Sequence, residues 1–214
     1  MTSPAFLIQR GAAHIATALS VSLALSACNA NLPPSPPTIN TSTGWTLNSA
    51  ASELQFVTTK NTNVAEVQKF NRLTGSVSPS GAVQLVIDLA SVETQIPIRN
   101  ERLQTMLFDI AKFPTAQFNG QLDMAPVQAL AVGDSADLDV AGTLRIRGQT
   151  QEATALLRVV SLRDNRLLVS TRAPILVNAA NYDLTAGIEQ LRALMSLPNI
   201  IGTVPVSFAL VFQR

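Results

Sequence analysis

Residues 203–213 read TVPVSFALVFQ, and in this stretch Val204, Val206, Phe208, Leu210 and Phe212 recur at every second position against Thr203, Ser207 and Gln213. A period of two belongs to a strand with one buried face, because successive side chains leave an extended backbone on opposite sides. The same period recurs upstream. Val83, Leu85, Ile87 and Leu89 stand opposite Gln84, Val86 and Asp88. Phe118, Leu122 and Met124 alternate with Gln117, Asn119, Gln121 and Asp123. Leu138, Val140, Leu144 and Ile146 alternate with Asp137, Asp139, Thr143, Arg145 and Arg147. Further strands fit residues 54–60, 69–77, 152–162 and 166–173. About eight strands, mostly antiparallel, make a sheet long enough to curl or close, so the expected fold is an all-β antiparallel barrel.

Two segments depart from this pattern. Leu103, Met106, Leu107 and Ile110 lie at i, i+3, i+4 and i+7, after an expected N-cap at Asn100 and before Pro114. Leu184, Ile188, Leu191 and Met195 repeat the helical spacing, with Asp183 or Thr185 as cap and Pro198 beyond. Two short amphipathic helices are therefore expected to cover an end or flank of the barrel. Leu103 and Leu107 would face inward as its lid.

The chain before the barrel has a different composition. Residues 1–27 carry Arg10 and then an apolar run from Ile15 to Leu25, too short to cross a bilayer and ending in small residues, as a secretory leader does. The leader ends Leu25-Ser26-Ala27-Cys28, which resembles the bacterial lipobox, with Cys28 the only cysteine in the chain. Cys28 is thus the expected lipidated N-terminus. The three acyl chains usual in such lipoproteins exceed the two that suffice for stable anchoring. Asn29 stands where an Asp would favour retention in the inner membrane, so the expected location is the periplasm, anchored to the outer membrane. Residues 28–44 hold Pro33, Pro34, Pro36 and Pro37 among Ser, Thr and Asn, the composition of an extended tether. Residues 45–214 form one domain.

Composition excludes several function classes. Lys and Arg number 15 against 14 Asp and Glu, so no net field gathers nucleic acid or acidic substrates. Cleavage after Ala27 removes His14, the only histidine, and lipid caps the only thiol. Catalysis by Ser-His-Asp or Cys-His and metal binding through histidine are thereby excluded, and no metal or other cofactor is expected. Asp134, Asp137 and Asp139 are the one carboxylate group suggesting hydrolytic chemistry, but beside Gly133 they read as a solvated turn and strand face. The chain is not expected to be an enzyme. A transmembrane barrel needs two aromatic girdles, which one Trp and one Tyr cannot supply.

An eight-stranded barrel is either just filled by its side chains or holds one small ligand. Both remain compatible with these residues, and a filled core would suit an assembly lipoprotein that works through its surface. Gly75, Gly120 and Gly142 interrupt strands where larger residues would fill space, and the inward positions are almost all apolar. Both features suit a long hydrocarbon. Arg99 and Arg102, near the first helix start, could pair with a ligand headgroup or a partner, but read more simply as a solvated helix turn.

The domain also resembles the YceI-like family, lipocalin-like extracytoplasmic proteins whose members bind polyisoprenoid chains. The resemblance runs through Phe70 to Gly75 (FNRLTG), Ser91-Val92-Glu93-Thr94, and the segment holding Arg99, Leu103, Phe108, Lys112, Phe113, Pro114 and Phe118. It continues in Gly142-x-Leu144-x-Ile146-x-Gly148-x-Thr150. Asn100, Arg102 and Leu107 depart from the family's usual Asp, His and aromatic. The resemblance implies an elongated barrel with an apolar tunnel and a long-chain isoprenoid or other lipid as ligand. Phe118, Leu122, Leu144, Ile146, Phe208 and Leu210 are the expected wall, closed by Leu103 and Leu107.

Overall fold

The computed structural model describes residues 44–214; the expected leader, Cys28 and the tether up to residue 43 lie outside the described residues. Twelve hydrogen-bonded segments form eight staves of a closed barrel. The first stave is β1 (Trp45–Leu47) and β2 (Glu53–Lys60), the second β3 (Val64–Phe70) and β4 (Leu73–Val77), the third β5 (Ala82–Asp88) and β6 (Val92–Glu93). Then come β7 (Thr115–Gln121), β8 (Ser135–Ile146) and β9 (Gln149–Leu162), a stave of β10 (Arg166–Thr171) with β11 (Ile175–Asn178), and β12 (Thr203–Gln213). Neighbours run β1-β4-β5-β7-β8-β9-β10-β12, and β12 pairs back onto β1 to close the ring. All these pairs are antiparallel. Closure removes the unpaired edges that an open sheet would expose.

β12 sets the parity of its neighbours, because directly opposed residues point to the same side. Val206 opposes Phe56 and Phe208 opposes Leu54, while Leu210 opposes Val169 and Phe212 opposes both Leu167 and Leu47. The alternating stripe of residues 203–213 therefore becomes the seam of an apolar interior. Outside stand Asp137, Asp139, Gln117, Asn119, Glu152 and Arg158, so the barrel is polar out and apolar in, the reverse of a transmembrane barrel.

The two ends differ. Helix α1 (Pro97–Arg102) runs on as a π-helical stretch, Leu103–Phe108, and packs beside helix α3 (Thr185–Leu194) at the end that carries the β2–β3 and β8–β9 turns. The opposite end carries the β4–β5 and β9–β10 turns, the chain's start at Trp45 and a one-turn helix, α2 (Ala125–Gln128).

Several local expectations need correction. Asn100 is not the N-cap. The helix starts three residues earlier, where Pro97 occupies the first turn that lacks hydrogen-bonding partners anyway, and the Asn100 side chain instead accepts from the Thr94 backbone N–H (2.9 Å) and hydroxyl (2.6 Å). Ile110 lies beyond the helical stretch, which ends at Asp109 in the left-handed region. Neither Asp183 nor Thr185 caps α3: Leu184 holds that position, buried and without a side-chain cap. Strand β7 ends at Gln121, so Leu122 and Met124 belong to the turn into α2, a helix the alternation concealed. Asp137, by contrast, sits on the outer face of β8 as the strand reading expects, and pairs with Arg158 at 2.8 Å and Arg172 at 3.1 Å.

Candidate functional site, an apolar cavity with a charged mouth

The barrel encloses a cavity of about 310 Å³, within the ~300–1,000 Å³ of ordinary ligand pockets. All eight expected wall and lid residues line it. Phe118, Leu144 and Ile146 come from β7 and β8, Phe208 and Leu210 from β12, Leu122 from the turn before α2, and Leu103 and Leu107 from the π-helical stretch. Phe118, Leu144, Ile146 and Phe208 are only part-buried although they point inward, because the space they face is not filled by protein. Leu210 is buried.

The glycines do not simply leave room. Gly120 opposes Gly142 across β7 and β8, and the Phe118 ring lies over the pair. A Cβ on Gly142 would meet the Asn119 carbonyl at 2.2 Å and the Phe118 ring at 2.7 Å. The glycine pair seats the ring flat along the wall and so keeps it out of the lumen. Gly187 does similar service for the lid: a Cβ there would meet the Met106 carbonyl at 2.7 Å, so its absence lets α3 lie directly on the stretch carrying Leu103 and Leu107.

Aromatic residues outside the expected wall set complete the upper wall. Phe56 and Phe70 stack at 5.2 Å, and Phe108 tilts onto Phe70 at 6.0 Å, fixing the π-helical stretch over the barrel.

Beyond this aromatic layer the inward positions become polar. Thr58 and Lys60 continue the parity of Leu54 and Phe56, while Glu66 and Gln68 continue that of Phe70, and all four line the cavity. Glu66 receives Lys60 at 3.1 Å and Arg99 at 2.7 Å. Arg99 also donates to the Thr94 carbonyl at 2.7 Å. Arg99 is thus a half-buried bridge between α1 and β3, which corrects its reading as a solvated turn. Partial burial pushes the Glu66 carboxyl up, but the Lys60 hydrogen bond and the two neighbouring cations outweigh it and hold its pKa below the usual value. Gln68 Oε1 and Arg99 Nε are buried without hydrogen-bond partners among the described residues. With Arg102 also at the lining, three cations face one carboxylate. Among the described residues no three His, Cys, Asp or Glu stand together as a metal site.

The family model of the YceI-like domain matches residues 45–212. The chain belongs to the YceI-like family. Among solved structures, this YceI-like barrel is similar to a polyisoprenoid binding domain from Saccharophagus degradans implicated in plant cell wall breakdown. The two are 42% identical with a TM-score of 0.77, over 79% of this chain and 98% of that one. BcnA of Burkholderia cenocepacia shares the fold at 20% identity and a TM-score of 0.57, over 77% of this chain and 98% of that one. No curated protein matches the sequence.

Proposed function

We propose that this YceI-like barrel is a non-catalytic binding protein for one long apolar molecule, an isoprenoid lipid or quinone tail, which it sequesters or carries. The observation that carries this reading is a lumen whose wall is almost wholly apolar except at one end, where Lys60, Glu66, Gln68, Arg99 and Arg102 gather. Such a lumen matches a hydrocarbon chain with a small polar head. Burial of the tail would drive affinity at ~25 cal/mol per Å², and the head would lie by Lys60, Glu66 and Arg99. The 42%-identical Saccharophagus domain, which is polyisoprenoid binding, supports the ligand class. The lipobox at Cys28 supports an envelope lipoprotein, held in the periplasm at the outer membrane.

Native mass spectrometry of the 44–214 domain, with solvent extraction of what it holds, tests the binding reading. One long-chain lipid per barrel is the expected result. A barrel that purifies empty and takes up no isoprenoid would favour the filled-core assembly role instead. The anchor is tested separately: Cys28→Ser is expected to release the protein from the membrane fraction, and continued retention without acyl chains would contradict the lipobox.

A further inference from the structure

Exposed apolar side chains are unevenly spread over the barrel. Of the ten large ones among the described residues, five, Val64, Ile98, Leu194, Met195 and Ile201, lie at the helical end, around the polar cluster. Met195 and Ile201 both line the cavity and are 36% and 40% exposed, so the cavity reaches solvent beside them. Ile201 is held there by its backbone N–H, which donates to Thr59 at 2.8 Å, and the neighbouring Ile200 bridges Lys60. Val64 starts β3 opposite Lys60, in the inward phase of Glu66 and Gln68, yet is 41% exposed because the wall ends at that level. Leu194 closes α3 beside Met195, and Ile98 projects from α1 next to Arg99.

A soluble protein exposes a gathered apolar rim of this kind where something covers it. The cations just inside the rim, Lys60, Arg99 and Arg102 against the single carboxylate Glu66, complement lipid phosphates. We infer that the rim formed by Val64, Ile98, Leu194, Met195 and Ile201 docks on the surface of an anionic lipid bilayer, with the cavity mouth facing the acyl region. This rests on the lipid-binding reading, since a long hydrocarbon that enters by this mouth then never crosses water. The rim inserts apolar side chains at the headgroup level while the inner cations engage phosphates, as interfacial protein segments do.

Flotation of the 44–214 domain with vesicles of equal parts phosphatidylethanolamine and phosphatidylglycerol tests the docking. That domain spans the extent of the separately solved Saccharophagus domain. The parent domain is expected to float. The double variant Met195→Ser/Ile201→Ser is expected to bind about tenfold more weakly, from two apolar side chains no longer buried. Leu176→Ser removes an even more exposed leucine from the barrel flank, on β11, and is expected to change nothing. Three results would overturn the assignment: a parent domain that stays in solution, a double variant that floats equally well, or equal loss with Leu176→Ser. A dimer abolished by the double variant, without flotation, would give the rim to a second copy instead. Flotation needs no bound ligand, so it is read apart from the mass-spectrometric test. A domain that holds isoprenoid but does not float ends the docking proposal alone.

Discussion

The two ends of the barrel interior are built from different residues for different tasks. At the chain-start end, Leu47, Val77, Met124, Val127 and Phe212 are all buried, and α2 lies across the opening. Outside them the Arg214 guanidinium covers the Trp45 ring at 4.9 Å. At the helical end the same inward positions carry Thr58, Lys60, Glu66 and Gln68, three buried polar atoms (Gln68 Oε1, Arg99 Nε and Arg147 Nε) lack partners among the described residues, and the lining residues Met195 and Ile201 are exposed. Apolar contacts that cost nothing to keep dry close one end. Charges that water or a headgroup must share hold the other. One end sustains the fold and the other is fitted for exchange.

This contrast is breakable by substitution. Phe212→Ala at the closed end is expected to cost about 3–5 kcal/mol in urea unfolding, since it opens a hole in packed core. A cost below about 1 kcal/mol would mean that the closed end is no more a core than the mouth. Gly142→Val, midway along the wall, forces a side chain against the Asn119 carbonyl and is expected to cost about 1–3 kcal/mol. It should also drive the Phe118 ring into the lumen and weaken ligand binding, and unchanged binding would remove the ring's seat from the account. Glu66→Gln at the mouth is expected to cost no more than about 1 kcal/mol near neutral pH, because the pair is partly solvated. Its signature is the pH dependence. Glu66 is held below its usual 4.5 in the folded chain, so its contribution is complete above that value and is lost as pH falls through the depressed folded pKa. Unfolding titrations from neutral to acid should therefore converge for the parent and Glu66→Gln, and parallel curves would show that the ion cluster does not stabilise the mouth.

Much of the barrel was legible in alternation alone, because a strand with one buried face repeats its chemistry every two residues. Val204 through Phe212, Leu138 through Ile146 and Val83 through Leu89 all point inward as their spacing implies. The breaks in the staves were not legible. Between β1 and β2 the chain turns at Ser49–Ala51 with Asn48 accepting from the Ala51 N–H, a device that involves no change of pattern visible beforehand. At Leu122 and Met124 the inward parity survives the end of the strand, so a turn was mistaken for its continuation.

The mouth was hidden for a more instructive reason. Lys60, Glu66 and Gln68 keep strict phase with Phe56 and Phe70, so parity alone would have placed them inside. Polarity argued the opposite, because charges belong outside a core. Where the two signals conflict, parity wins if partners are present to neutralise the charge, and while Lys60 lies on the same hairpin, Arg99 lies 33 residues from Glu66 in sequence. Its role was therefore set by closure of the fold and not by its neighbours.

The central claim is that the lumen measures hydrocarbon while the mouth handles the head. Affinity across a series of isoprenoids with one head and increasing tail length tests it most directly, with Leu210→Arg as the control that places an unpaired charge in the wall. The account predicts a gain of at least about tenfold for each isoprene unit until the lumen is full, then a plateau, and no measurable binding in folded Leu210→Arg. Affinity that ignores tail length, or a folded Leu210→Arg that binds as well as the parent, would contradict it.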